Sequence, residues 1–284
     1  MALRKVKKFV KGHATVDGAG VHLVRVLGVR TVYDYDPFLM LDSFDSDDYR
    51  MWIKGFPTHP HRGIETITYL IQGEIAHHDS LGNKGTIRCG ESQWMTAGSG
   101  IMHAEMPLEG PRMLGVQIWL NLPKAEKMTY PRYFDITQDK IPVVKEDFGE
   151  ARVISGEYGG AKGVEPRHVK ATLIDFLVDK GKTVRIPTVK GENAFVFLIE
   201  GSATIGGKNY SEKSAVLFEM KGDGVEIKAP DDRYLRLLFF EGKPLEECVS
   251  WGGPIVMNTA EEIQEAFEEL DSGTFIKHNA KDAG

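Results

Sequence analysis

The sequence predicts an all-β fold made of two antiparallel, strand-rich halves, on three observations. Short apolar stretches recur at roughly 8–12-residue spacing, bounded by Gly, Asp, Asn or Pro, as in sandwiches and barrels. Few segments show the apolar period of a helix. A weak internal repeat is also visible: ITYLIQGEIAHHD in the first half is echoed by FVFLIEGSATIGG in the second. Each places a strand, then an acidic or amide residue with Gly, then another strand, which one duplicated barrel explains better than two unrelated folds.

The elements follow in order. Arg4, Lys5, Lys7, Lys8 and Lys11 form a basic start, read as the solvated side of a first strand. Strands are expected at 22–27, 65–70, 74–78, 85–88, 92–96 and 113–120, with a hairpin connection over 79–85. Pro123, Pro131 and Pro142, among scattered charges, mark a crossover. Strands resume at 172–178, 182–186, 194–198, 202–205, 215–219, 225–228 and 235–240. Near the end, Thr259 and Glu262 form a capping box, and Ile263, Ala266, Phe267 and Leu270 follow as a helical stripe expected to pack on a barrel. The expected division is 1–130 for a metal-binding barrel, 131–150 for a crossover linker, 151–258 for a barrel without metal ligands, and 259–284 for a helix and tail.

Composition narrows the function. The 284 residues are 42% hydrophobic and 27% charged, a balance that excludes wholesale disorder and supports a large core. A net charge of −6 argues against direct nucleic-acid binding, which calls for a basic footprint. Cys89 and Cys248 form no disulfide framework or Cys-x-x-Cys, as in a reducing compartment. No apolar run approaches the ~18 residues that span a bilayer. The start MALRKVKKFVKGH lacks the apolar core of a signal peptide, so no membrane association and a cytoplasmic location are expected.

Two ligand dyads carry the chemistry. His59-Pro60-His61 lies in GFPTHPHRGIETITYLIQGE, and His103-Ala104-Glu105 lies in TAGSGIMHAEMP. Side chains two apart on a strand share a face, so each dyad aims two donors at one point. A lone His-x-His is commonly chance. Two such pairs, each on a strand-like segment behind a glycine turn (Gly55; Gly98 to Gly100), are much less so. Three imidazoles and a carboxylate suit Fe, Mn, Cu, Ni or Zn and can leave coordination positions open, as catalysis requires. The second half has PTVKGENA where the first has PTHPHRGIE, so no equivalent site is expected there. His168 lacks a dyad partner and is read as structural.

Gly55, His59, His61, Glu65 and Gly73, with Gly90 and His103, resemble the paired motifs of cupins. FLMLDSFDSDD, FPTHPHRGIETITYLIQGE, HHDSLGNKGTIRCGESQWMTAGSGIMHAEMP and GPIVMNT are similar, more narrowly, to the pirin family, over nearly the whole chain. The resemblance implies a bicupin: two stacked antiparallel barrels of jelly-roll type with a short C-terminal helix and one divalent transition metal, iron first, in the N-terminal barrel. It implies the ligands His59, His61, His103 and Glu105. Strand parity leaves Glu65 open as a ligand, since it shares the face of His61. The resemblance favours Glu105, which leaves Glu65 to orient an imidazole.

Some pirins resemble quercetin 2,3-dioxygenases, which cleave a flavonol with O₂ and release carbon monoxide. On that likeness the substrate is a small aromatic molecule such as a flavonol, and Glu105 is the candidate base for its 3-hydroxyl proton. Two alternatives stay open: a redox-responsive regulator of the transcription-cofactor type, or a cupin enzyme acting on another oxygen-donor substrate. No protein partner is readable, and a monomer is expected because duplicated barrels can cover each other's sheets. Trp52, Phe56, Met95, Met102 and Met106 neighbour the ligands and are read first as core packing. Cys89 is read as a buried small apolar residue. His77 and His78 are read as facing opposite sides, with a hydrogen bond in the Asp79 turn.

Overall fold

The computed structural model describes residues 1–278; residues 279–284 of the expected tail lie outside the described residues. The described chain is mostly strand, with one α-helix, Ala260–Ser272. None of its helices is long and apolar enough to cross a membrane.

The chain packs into two compact units, each discontinuous in sequence. One contains 14–32, 38–137 and the chain from 245 onward; the other contains 1–13, 33–37 and 138–244. The sequence reading draws its divisions contiguously, and strand pairing explains the difference. Val6–Lys11 pairs with Ser214–Phe218, so the basic first strand sits at a sheet edge of the second unit, with Val6 packed on that unit's core. The stretch expected as a bare crossover holds two short strands. Arg132–Ile136 pairs with Ser92–Thr96, and Val143–Glu146 pairs with Gly149–Ser155. Both are edge strands, bonded on one side only, so prolines and charges around them are tolerated and mask the strand pattern.

In the first unit a seven-stranded sheet runs in the order Arg132–Ile136, Ser92–Thr96, Ile64–Gln72, Met113–Asn121, Phe38–Ser46, Val21–Leu27, His13–Asp17. A four-stranded sheet runs Phe56–His61, Ile101–Pro107, Ile75–Asp79, Lys84–Ile87. Val21, Leu23, Phe44 and Leu70 of the larger sheet pack with Ile75 and Ile87 of the smaller. Phe38–Ser46 escapes a strand reading because FLML runs into DSFDS, and Asp and Ser are turn residues depleted in strands, although its first seven residues are all buried.

The second unit repeats the plan with seven strands and four strands. Asn193–Glu200 lies between Ser214–Phe218 and Leu235–Gly242, just as Ile64–Gln72 lies between Ser92–Thr96 and Met113–Asn121. The sequence repeat therefore marks corresponding central strands. The fold is two cupin domains with one short C-terminal helix.

That helix begins as its capping box predicts. Glu262 N donates to Thr259 Oγ1 (3.2 Å), Thr259 N donates to Glu262 Oε2 (2.9 Å), and Gly273 closes the helix at φ 73°. It packs on the hairpin Ser250–Gly252/Ile255–Met257, with Ala266 fully buried and Phe267 41% exposed. Phe267 is thus the solvent margin of the expected stripe, while Leu270 packs on the C-terminal cluster.

One buried carboxyl makes the second unit's stability pH-dependent. Burial pushes Glu241 up from 4.5 to about 7, outweighing the Val189 N–H (2.8 Å) and Arg4 (3.8 Å) that favour its charged form. The folded state then holds a proton that the unfolded chain releases between these two values. Stability is full below 4.5 and falls as pH rises through 7, by about 1.4 kcal/mol per pH unit and roughly 3 kcal/mol in all. Glu241→Gln is expected to flatten this slope in denaturant unfolding at pH 5 and pH 8; an unchanged slope would refute the assignment.

Candidate metal centre

The site is built where the two dyad strands meet. Phe56–His61 and Ile101–Pro107 pair antiparallel, with Ile101 opposite His61 and His103 opposite His59. Alternation then directs all three imidazoles to one face. Their ligand atoms lie within 4.8 Å of one another, and among the described residues this is the group of its kind with metal-binding geometry. Glu105 follows two residues on, in unbroken register with Ile75–Asp79, and its carboxylate stands outside the 4.8 Å group while lining the same cavity.

Hydrogen bonding fixes which nitrogens face inward. His59 Nδ1 lies 2.8 Å from Pro57 O, and His61 Nδ1 lies 2.8 Å from Pro254 O. A carbonyl only accepts, so each Nδ1 carries the N–H and donates. Both Nε2 atoms then present lone pairs, 3.0 Å apart. Two lone pairs at that separation repel unless a cation lies against them. His103 goes further: it is 1% exposed, and neither ring nitrogen has a hydrogen-bond partner. Buried nitrogens without partners are unfavourable unless they bind something. Burial, reinforced by the neighbouring imidazoles, holds His61 down to about 3 and His103 well below the usual imidazole range. Neutral imidazole is the form that ligates a transition metal, so the residues fit the group.

Glu105 is braced from behind. Its Oε1 accepts from Thr68 Oγ1 (2.7 Å) and Gln93 Nε2 (2.5 Å). Thr68 Oγ1 also lies 2.6 Å from Gln117 Oε1, and Gln93 Oε1 accepts from Tyr133 (3.2 Å). Thr68 has one hydroxyl proton for two neighbouring oxygens, so a Gln117 amide turned to present its NH₂ resolves the pattern. Glu65 is buried and accepts from Thr96 Oγ1 (2.7 Å). The imidazoles of His59 and His61 are oriented by backbone carbonyls, where the sequence reading gave that task to Glu65.

His77 and His78 face opposite sides as expected. His78 is exposed; His77 is buried, 3.3 Å from Asp79 Oδ2, and stacks on Tyr133 with ring centroids 4.0 Å apart. The reading of Cys89 is corrected: it is exposed, because the turn after Lys84–Ile87 leaves the core there.

A cavity of about 800 Å³ opens onto His59, His61 and Glu105. Its apolar wall includes Phe44, Phe56, Trp119 and Trp251; the two indoles stack with centroids 5.6 Å apart, and Trp119 meets His61 edge-on at 4.9 Å. Its polar wall includes Arg25, Asp42 and Gln117, with Arg25 donating to Asp42 twice (2.9 and 2.6 Å) and to Asp17 (2.6 Å). The hydrogen bonds it donates to Asp42 hold the guanidinium firmly charged. Of the five residues near the ligands in sequence, Phe56 lines the cavity, Trp52 and Met95 are buried in the core, Met102 packs against the C-terminal cluster and Met106 is half-buried. Sequence reasoning missed Arg25, Asp42, Trp119 and Trp251, which sheet pairing and the C-terminal hairpin bring in with no local signal.

Known proteins are similar to this chain in sequence and fold. The family Pirin matches residues 20–120, and the Pirin C-terminal cupin domain matches residues 173–276. A pirin-like protein of Caulobacter vibrioides is 42% identical, over 97% of this chain and 100% of its own length. Pirin of Homo sapiens is 38% identical, over 93% of this chain and 91% of its own. Among solved structures, quercetin 2,3-dioxygenase from Acinetobacter baumannii superposes with a TM-score of 0.88 at 32% identity, covering 96% of this chain and 99% of that one.

Proposed function

The chain belongs to the pirin family, and on that premise we propose that it is a metal-dependent dioxygenase of the quercetin 2,3-dioxygenase type, acting on flavonols or close aromatic relatives. The observation that carries the reading is the cluster of three imidazoles, His61 and His103 buried and His59 half-buried, at a cavity of about 800 Å³ walled by aromatic rings. That volume lies within the range of small-molecule sites.

His59, His61 and His103 hold the metal through ring nitrogens, those of His61 and His103 kept neutral by burial, and Glu105 completes the donor set from the cavity wall. Iron is the metal proposed, with Mn, Cu, Ni or Zn as alternatives. A divalent transition metal there supplies Lewis acidity and the chemistry of O₂. Glu105 takes the 3-hydroxyl proton of the flavonol, aimed by Thr68 and Gln93 on its other side. Phe44, Phe56, Trp119 and Trp251 hold the flat rings and keep water away.

The test is quercetin decay by protein reconstituted anaerobically with each metal in turn. His59→Ala is expected to lose metal and turnover together. Glu105→Gln keeps the size and hydrogen-bonding shape of the side chain but takes no proton, and is expected to slow turnover by about 10²–10⁴-fold. Turnover of Glu105→Gln at the wild-type rate with full metal content would remove Glu105 from the proton step.

A further inference from the structure

The C-terminal segment reaches the metal centre from outside both dyads. The acceptor for His59 Nδ1, Pro57 O, lies two residues away on the same strand, whereas that for His61 Nδ1 is Pro254 O, 193 residues further along the chain. Pro254 occupies the turn between the paired strands Ser250–Gly252 and Ile255–Met257. That hairpin lies along the backbone of Arg62: Val256 N donates to Arg62 O (3.1 Å), and Ile255 bridges to Arg62 in parallel. The helix Ala260–Ser272 covers the hairpin so closely that a Cβ on Gly252 would meet Ile263 Cγ2 at 2.6 Å.

Arg62 ties these parts together. The residue after His61, it is 2% exposed. Its Nε donates to Ser99 O (2.7 Å), and its Nη2 donates to Glu269 Oε2 (2.6 Å) and Phe275 O (3.0 Å). Its guanidinium also lies over the Phe275 ring, 4.3 Å from the centroid. One buried cation thus joins the turn before the second dyad, the helix and the segment after it. A planar fork can serve several acceptors in this way, where an ammonium serves them as a point charge.

We propose that Arg62 is a positioning residue of the metal centre: by clamping the C-terminal helix and hairpin it holds the Pro254 carbonyl on His61 Nδ1 and so fixes Nε2 as the atom of His61 that faces the metal. The proposal rests on the metal-site reading above. Groups that orient ligating imidazoles commonly change metal affinity by about 10–100-fold when removed.

The experiment has two readouts. Imidazole ¹⁵N spectra of the metal-free protein report the tautomer of each histidine, and chelator competition reports the affinity for Zn(II). Wild type is expected to show His61 protonated on Nδ1 alone. Arg62→Met is expected to mix the His61 tautomers, leave that of His59 unchanged because its acceptor is local, and weaken zinc binding about 10–100-fold. Arg62→Lys is expected to recover part of both signals. Unaltered His61 tautomer and zinc affinity in folded Arg62→Met would overturn the proposal. If Arg62→Met does not fold, Glu269→Gln is read by the same signals, and no change in either overturns it as well. Failure of wild type to bind zinc would count against the metal reading, while the His61 tautomer would still report on the clamp.

Discussion

Replacing His103 with leucine is expected to abolish metal retention and leave the metal-free protein as stable as wild type, or more so by about 1–3 kcal/mol. The reasoning follows from the burial of His103 without a hydrogen-bond partner for either ring nitrogen. Each such group carries a desolvation penalty that metal binding offsets and an apolar side chain of similar size never incurs. Wild type should gain about 2.7 kcal/mol at a hundredfold excess of metal over Kd, and the variant nothing. Thermal denaturation with and without metal separates the two effects. A metal-induced rise in Tm that persists in His103→Leu would mean that the imidazole is not a ligand; a large loss of stability without metal would mean that its nitrogens are satisfied after all.

Lys127→Met is expected to have the largest effect on stability alone. The Lys127 side chain is buried, and its ammonium donates to Gly63 O (2.9 Å), Asn121 Oδ1 (2.8 Å) and Val256 O (2.9 Å). Methionine fills the space, and all three buried acceptors lose the ammonium, Gly63 O keeping a longer bond from Leu122 N (3.3 Å). At about 1–3 kcal/mol each, the loss is expected to reach roughly 3 kcal/mol or more. That corresponds to a fall in Tm on the order of 10 °C. Gly63 lies two residues from His61 and Val256 two from Pro254, so metal affinity should fall with stability. A Tm within a degree or two of wild type would show that other donors replace the ammonium.

Much of this was legible in the sequence. Central strands such as Ile64–Gln72 and Ser92–Thr96 announce themselves through alternation and turn residues, and the dyads declare a shared face by parity. The capping box placed the helix because Thr259 and Glu262 act on backbone groups a few residues away. What stayed hidden depends on partners distant in sequence. Phe38–Ser46 runs from FLML into DSFDS, whose Asp and Ser read as a turn until neighbouring strands pair with it. The edge strand Arg132–Ile136 owes its form to Ser92–Thr96, not to its own residues. The hydrogen bonds that hold Glu105 come from Thr68 and Gln93 on other strands, which parity within one strand does not reveal. Pro254 acts through a backbone carbonyl, so no side chain at that position could announce it.

The most direct test of the central claim is gas and substrate stoichiometry on protein reconstituted with iron and, in parallel, with Mn, Cu, Ni and Zn. Metal content, quercetin decay, O₂ uptake and carbon monoxide release would be followed together, with His103→Leu as the control. The account predicts one metal per chain, O₂ uptake and carbon monoxide release matching quercetin loss, and none of these in the control. One metal per chain with no quercetin turnover under any metal would contradict the dioxygenase reading and leave the three-histidine centre standing without it.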